Sequence, residues 1–439
     1  MSGIDRRHFL EHAAALGALS GAGSQFWNGL RAAESTLKKD KKSLIILWMG
    51  GGPSHMDLWD LKPGSSTGGE FKPINTTAPG VQISEVLPGL AKEFKDLAIV
   101  RSLVTNEGSH ERGTTLMNTG RPPNPVVTYP AAGAVVSSLI TPKDLPLPGF
   151  IGVGGTAQRV GPGFLGMINA PFTVQNAGQP PENIRNPSGL GSNTSETEDR
   201  IRRRQRLFYA VEDQFSEGTF PHLKKPEDRE ASGSAAQAHS SIYKKAFDLT
   251  VSPLRTVFEV AKESRAVIDA YGGTQNQFGM GCLLARKLVE QGVSCVEVDL
   301  GGWDNHANIF TTIKNGNGPR LDKGFSALVA DLKDRGLWKN TVVMWMGEFG
   351  RTPRINQNTG RDHWARCWSV VMGGGGIKGG QVYGATSADG MDIKDNGCSI
   401  GDLFATVYKG LGLDPATQIR DNIGRPMPIA EGKILKGLV

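Results

Sequence analysis

Five apolar runs punctuate the chain: Ser43–Met49, Leu97–Leu103, Val293–Leu300, Thr341–Met346 and Trp368–Met372. Each has the length of a strand. Near-continuous stretches of Val, Ile, Leu and Met are what strands buried on both faces of a parallel sheet require. Between the third and fourth runs, Leu321, Phe325, Leu328, Val329 and Leu332 recur on one face of a helix. Strand, helix, strand at that spacing predicts a parallel crossover. Other helices are expected from about Glu111 to Gly120, over 125–140, 196–217, 236–270 and 274–291, and near Ile400–Leu411. Residues 61–95 read as loops with a short helix, and 141–190 as Gly- and Pro-rich loop. The class is α/β with a mostly parallel sheet.

Four of these runs give way to a polar loop, and the fifth to four consecutive glycines. Ligand sites in open α/β sheets lie just beyond the carboxyl ends of strands. There this chain places His55 and Asp57, His110 and Glu111, Asp304 and His306, then Glu348 with Asp362 and His363. Gly50-Gly51-Gly52 lets the backbone approach a ligand closely. Pro53 comes next, so a dinucleotide-binding turn is discounted. Of the eight histidines, four stand at these strand ends, and only His222 and His239 fall elsewhere once His8 and His12 are assigned to the N-terminal leader. Histidine with carboxylate and no thiolate suits Zn²⁺, Mn²⁺ or Fe²⁺. The ligand candidates are Asp57, His110, Asp304, His306, Glu348 and His363. Arg351 and Arg354 either bind an anionic substrate or pair with nearby carboxylates.

Composition narrows the picture. The chain has 439 residues, 38% hydrophobic, enough for a large core, and 58 Gly with 25 Pro imply many loops. A net charge of +6 is mild, and its one dense cluster, Arg200–Arg206, reads as the solvated face of a helix. Nucleic-acid binding is therefore not expected. The four cysteines are far apart; Cys295 and Cys367, in or beside strand-like runs, read as small buried groups, and a disulfide is permitted but not established by the spacing. Arg6-Arg7-His8-Phe9-Leu10, with Ala13–Leu19 after it, resembles a twin-arginine export signal. The expected organisation is a signal over 1–33, a linker over 34–42 and one domain over 43–439, with a helical segment at about 191–290. The product would be periplasmic or extracellular, and the mature chain has no stretch long enough to span a bilayer.

Five motifs together carry a resemblance: Gly50–Asp57, Gly301-Gly302-Trp303-Asp304-Asn305-His306, Gly347–Pro353, Gly360-Arg361-Asp362-His363-Trp364 and Gly373–Gly380. They are similar to the domain-of-unknown-function 1501 family of exported bacterial proteins, which in turn resembles the alkaline phosphatase and sulfatase superfamily. That resemblance implies a three-layer α/β/α sandwich with a metal centre at the strand ends. It implies that Asp304, His306 and His363 bind one metal. Glu348-Phe349 stands where the superfamily has Asp-His, and Asp57 is the substitute for a first-strand aspartate. Counting back from Thr119-Gly120, the position of the superfamily nucleophile falls on His110. The Cys-x-Pro-x-Arg and Ser-x-Pro-x-Arg motifs are absent, so formylglycine chemistry is not expected. The implied function is hydrolysis of a phosphate or sulfate ester, on a small molecule or a sulfated or phosphorylated polymer. Zinc would be the metal, with manganese, iron or calcium as alternatives, and His110, Arg351 and Arg354 would take part in catalysis. The alternative is a non-hydrolytic metal-binding or assembly protein on the same fold.

Overall fold

A computed structural model describes residues 41–155, 160–181, 195–218, 249–250 and 252–439. The expected signal and nearly all of the linker lie outside them, as do His222 and His239. Eight strands form the central sheet: β1 Ser43–Trp48, β2 Leu97–Leu103, β3 Phe150–Val153, β4 Phe172–Val174, β5 Cys295–Asp299, β6 Thr341–Met346, β7 Trp368–Gly373 and β8 Gln381–Tyr383. Their order is β8-β2-β7-β6-β1-β5-β3-β4. Every pairing is parallel except the two made by β7.

Alternation along the strands sets the layers. Ile45, Leu47, Val296, Val343 and Trp345 pack on one face against Leu283, Leu288, Leu321, Phe325 and Leu328. These last five sit on helices α1 Gln277–Gln291 and α2 Gly318–Asp334. Leu44, Ile46, Val342, Met344 and Val370 pack on the other face against Val135, Val136, Leu403, Phe404 and Val407, from helices Ala132–Ile140 and Ile400–Gly410. This is a three-layer α/β/α sandwich. The crossover β5–α2–β6 exists as expected, with β1 between its two strands.

All five apolar runs form central strands. β3, β4 and β8 come from stretches without a strand signal, because three or four residues beside glycines are too few to show a period. β7 is antiparallel because the segment joining it to β6 contains no helix that could carry the chain back across the sheet. The carboxyl end of β6 and the amino end of β7 therefore share one edge, and residues 347–367 form a wall along it. The helix expected over 125–140 begins only at Ala132, after Pro122, Pro123, Pro125 and Pro130. That expected over 236–270 is, from residue 252 on, two 3₁₀ turns and a short helix, Arg265–Ala270, begun afresh by Ser264 as N-cap.

The four cysteines are all buried. Arg200, Arg202, Arg203, Arg204 and Arg206 are exposed on helix Ser195–Gly218. Among the described residues no helix is long and apolar enough to cross a membrane.

Candidate metal centre

Four strand ends converge on one edge of the sheet. β1 runs into Gly50–Gly52, β2 leads to helix His110–Thr119, β5 to the loop holding Asp304 and His306, and β6 to Glu348. The fifth contributor is a two-stranded ribbon in which His363 pairs with Arg351. The two loops are stitched by backbone bonds, Arg361 N–H to Asn305 O (3.0 Å) and Asn308 N–H to Asn358 O (3.0 Å). Glycine is required at the closest approaches. A Cβ on Gly360 would lie 2.1 Å from the His306 carbonyl carbon, and one on Gly51, whose φ is 112°, would lie 2.4 Å from the Asp304 nitrogen.

Asp304 is the hub. One of its oxygens lies 3.0 Å from His306 Nε2 and 3.2 Å from His363 Nε2, and the other lies 3.4 Å from His110 Nε2. Ligand atoms of His110, Asp304 and His363 all fall within 4.8 Å of one another. Each imidazole is held by its other nitrogen. His363 Nδ1 is 2.9 Å from Gly108 O, His110 Nδ1 is 2.7 Å from Glu348, and His306 Nδ1 is 2.6 Å from Asp362. A carbonyl and two carboxylates can only accept, so each Nδ1 carries a proton, and in the neutral ring each Nε2 is then an acceptor turned inward. His306 Nε2 and His363 Nε2 are 3.2 Å apart. Two lone pairs that close, beside a carboxylate, repel one another unless a proton or a cation sits between them, and Arg351 reaches only the His306 side. His110 Nε2 is buried with no hydrogen-bond partner. Histidine ligands backed by a carboxylate or a carbonyl on Nδ1 are the usual arrangement around a metal, so the residues present fit a divalent cation.

Electrostatics agree. Burial works against ionisation of Asp304, but the hydrogen bond and the charge of the Arg351 guanidinium outweigh it and hold the carboxyl at about 2. The hydrogen bond that His110 donates to Glu348 raises the pKa of His110. The contact with His306 lowers that of Asp362.

Several expected roles change. Glu348 was expected as a ligand. Its Oε1 is instead occupied by His110 Nδ1 and the Gly51 N–H (2.8 Å), which makes it a brace for His110, while its buried Oε2 has no partner. Asp57 is not brought to the centre. It is fully buried, and its oxygens accept from Arg361 at 2.7 and 3.1 Å and from Ser54 at 2.5 Å. A buried carboxylate takes the nearest buried cation, and that is Arg361. Arg351 is also fully buried. Its donors go to Gly52 O, Gly51 O, Arg361 O, His306 Nε2 and Asp304, and a guanidinium has only five. None remains for a substrate, so Arg351 is a clamp on Asp304. Arg354 is exposed and its side chain makes no bond among the described residues. Phe349 packs against the rings of His110 and His363, with centroids 4.9 and 4.6 Å away. An apolar residue beside Glu348 carried no signal for this. Nor did Gly108, which contributes only its carbonyl.

His55 lies apart from the centre, fully buried, with both ring nitrogens unpartnered. Burial brings its pKa down to about 4, helped by Arg361 and Lys62 and opposed by Asp60. The unfolded chain takes up this proton near pH 6.5 and the folded chain only near 4, so protonation favours unfolding. The contribution is fully present above pH 6.5 and is lost as pH falls toward 4. That gap corresponds to about 3 kcal/mol. Chemical denaturation from pH 7.5 to 4 should show this fall in the wild type and a flatter profile in His55→Gln. Equal slopes would rule His55 out as its source.

The sequence model of DUF1501, described as a protein of unknown function, matches residues 41–439. The chain belongs to the DUF1501 family. No curated protein matches it in sequence. Solved structures similar to this DUF1501 protein include a sulfatase from Pseudoalteromonas sp., at 13% identity and TM-score 0.35, covering 87% of this chain and 70% of that one. The alkaline phosphatase of the Antarctic bacterium TAB5 shows 12% identity and TM-score 0.33, with 85% and 99% covered. A protein in the alkaline phosphatase superfamily from Vibrio parahaemolyticus shows 12% identity and TM-score 0.36, with 85% and 67% covered. Likeness at that level says nothing about chemistry, and the site stands on its own geometry.

Proposed function

We propose that this DUF1501 protein is an exported, metal-dependent hydrolase of a phosphate or sulfate ester. Asp304, His306, His363 and His110 would hold a divalent cation, zinc before manganese, iron or calcium. The observation that carries the reading is the convergence of three imidazole Nε2 atoms on one carboxylate, each ring fixed by an acceptor on Nδ1. A cation held there would supply Lewis acidity toward an ester oxygen. The chain's own residues supply the rest. Glu348, Asp362 and the Gly108 carbonyl keep the Nδ1 protons in place, and Arg351 holds Asp304 ionised and in register. A cleft of about 690 Å³, lined by His110, Asp304 and Glu348, admits the ester. Export rests on the Arg6-Arg7 motif.

One observation favours a second reading, a metal-binding protein without turnover. Arg351 has no spare donor, and the Thr115 hydroxyl in the cleft is bonded back to the Glu111 carbonyl (3.0 Å). Metal content of protein exported by its native host, with phosphate- and sulfate-ester assays, separates the two. Bound divalent metal and turnover lost in His306→Ala support the hydrolase. Metal without turnover on any ester supports the second reading, and no metal overturns both.

A further inference from the structure

The cleft at the metal centre does not end there. A second cleft of about 410 Å³ opens beside it, and both are lined by Gly155, Asp299 and Gly301. The two form one trough along the carboxyl ends of β1, β3, β4 and β5. Gly155 makes the junction possible, because a Cβ there would overlap the Asp299 carboxylate, 1.5 Å from Oδ2. We propose that the second cleft is a subsite for the alcohol portion of the substrate, and that this portion is an uncharged polyhydroxyl group of carbohydrate type. The proposal rests on the hydrolase reading above.

Two features support it. The first is the donor set. Gln175, Asn176, Gln275, Gln277 and Arg320 line the second cleft. The side chains of Gln175, Gln275 and Arg320 make no hydrogen bond or ion pair among the described residues. Asn176 gives its oxygen to the Gly178 N–H (2.9 Å) and keeps its NH₂. Gln277 gives its NH₂ to the Thr274 carbonyl (2.9 Å) and keeps its oxygen. Donors and acceptors are thus interleaved, which suits hydroxyls that both give and take hydrogen bonds. The second feature is charge. Among the described residues the first cleft carries Glu111, Asp299, Asp304 and Glu348, with neither Lys nor Arg, and the second carries Arg320 as its one cation. Arg351 lies buried behind it with every donor used. A chain bearing repeated sulfates or phosphates would find a single cation, Arg320, and would set its remaining anions against these carboxylates. A single ester group at the metal, with a neutral chain leading away, meets no such repulsion. A trough of this extent also exceeds what a small ester alone would fill.

The test is an array of neutral and sulfated glycans probed with labelled, metal-loaded protein, then equilibrium binding of the best neutral oligosaccharide. Wild type should bind neutral glycans in preference to polysulfated ones. Gln175→Ala/Gln275→Ala should bind at least about tenfold more weakly, with metal content and circular dichroism unchanged. Metal-loaded protein that binds no glycan, prefers polysulfated glycans, or loses nothing in the double variant overturns the subsite and leaves the metal centre standing. Protein that takes up no metal instead marks failure of the hydrolase reading.

Discussion

Replacing Asp304 with asparagine is expected to weaken divalent-metal binding more than about a hundredfold, beyond the 10–100-fold that groups behind metal ligands are worth. Asparagine keeps the size of the side chain and removes its charge. The variant therefore separates electrostatics from packing. In the wild type this carboxylate faces three Nε2 atoms and the Arg351 guanidinium at once. Without its charge, no anionic group remains among the inward-facing ligand atoms to offset the charge of a dication. Glu348→Gln and Asp362→Asn should cost only the 10–100-fold range, since each loosens one ring without removing a ligand. Competition with a chromogenic chelator, backed by elemental analysis, measures all three. Wild-type affinity in Asp304→Asn, or a larger loss in Glu348→Gln, would show that the wrong residue has been taken as the hub.

The second large effect concerns stability. Arg361→Met is expected to destabilise the fold by about 3–5 kcal/mol, the usual result of stranding one charge of a buried pair. Neither Arg361 nor Asp57 has measurable exposure. The guanidinium also donates to the carbonyls of Thr67, Thr352 and Pro353, so its loss orphans several acceptors besides Asp57. Adding Asp57→Leu to Arg361→Met should recover part of the loss, because the stranded charge is then gone. Denaturant titration of the two single variants and the double measures it. Additive losses in the double variant would show that the pair does not act as a unit. The same pair explains why Asp57, read as a possible ligand, serves the scaffold instead.

Much of the site was legible in order alone. The runs at 43–49, 97–103, 293–300, 341–346 and 368–372 are apolar enough to be central strands, and the polar loops after them hold His110, Asp304, His306 and His363. The structure brings those four together. Glu348 and Asp362 could be seen to belong nearby but not to stand behind a histidine, because spacing does not say which atom of a side chain faces which neighbour. Arg351 and Arg354 looked alike, each a substrate binder or a partner for a nearby carboxylate. One is fully buried with its donors spent, and the other is exposed. The short strands Phe150–Val153 and Phe172–Val174, which carry the second cleft, were hidden because three or four residues cannot establish a period.

Residue order by itself thus determined the layers, most of the central strands and the pool of ligand candidates. Local periodicity and turn chemistry act over a few residues and need no partner. Tertiary structure alone decided the antiparallel course of β7, the diversion of Asp57 to Arg361, the saturation of Arg351 and the roles within the pool. Each depends on satisfying a buried charge or backbone group across some 300 positions of chain, as between Asp57 and Arg361. That accounting is settled only when the chain has folded.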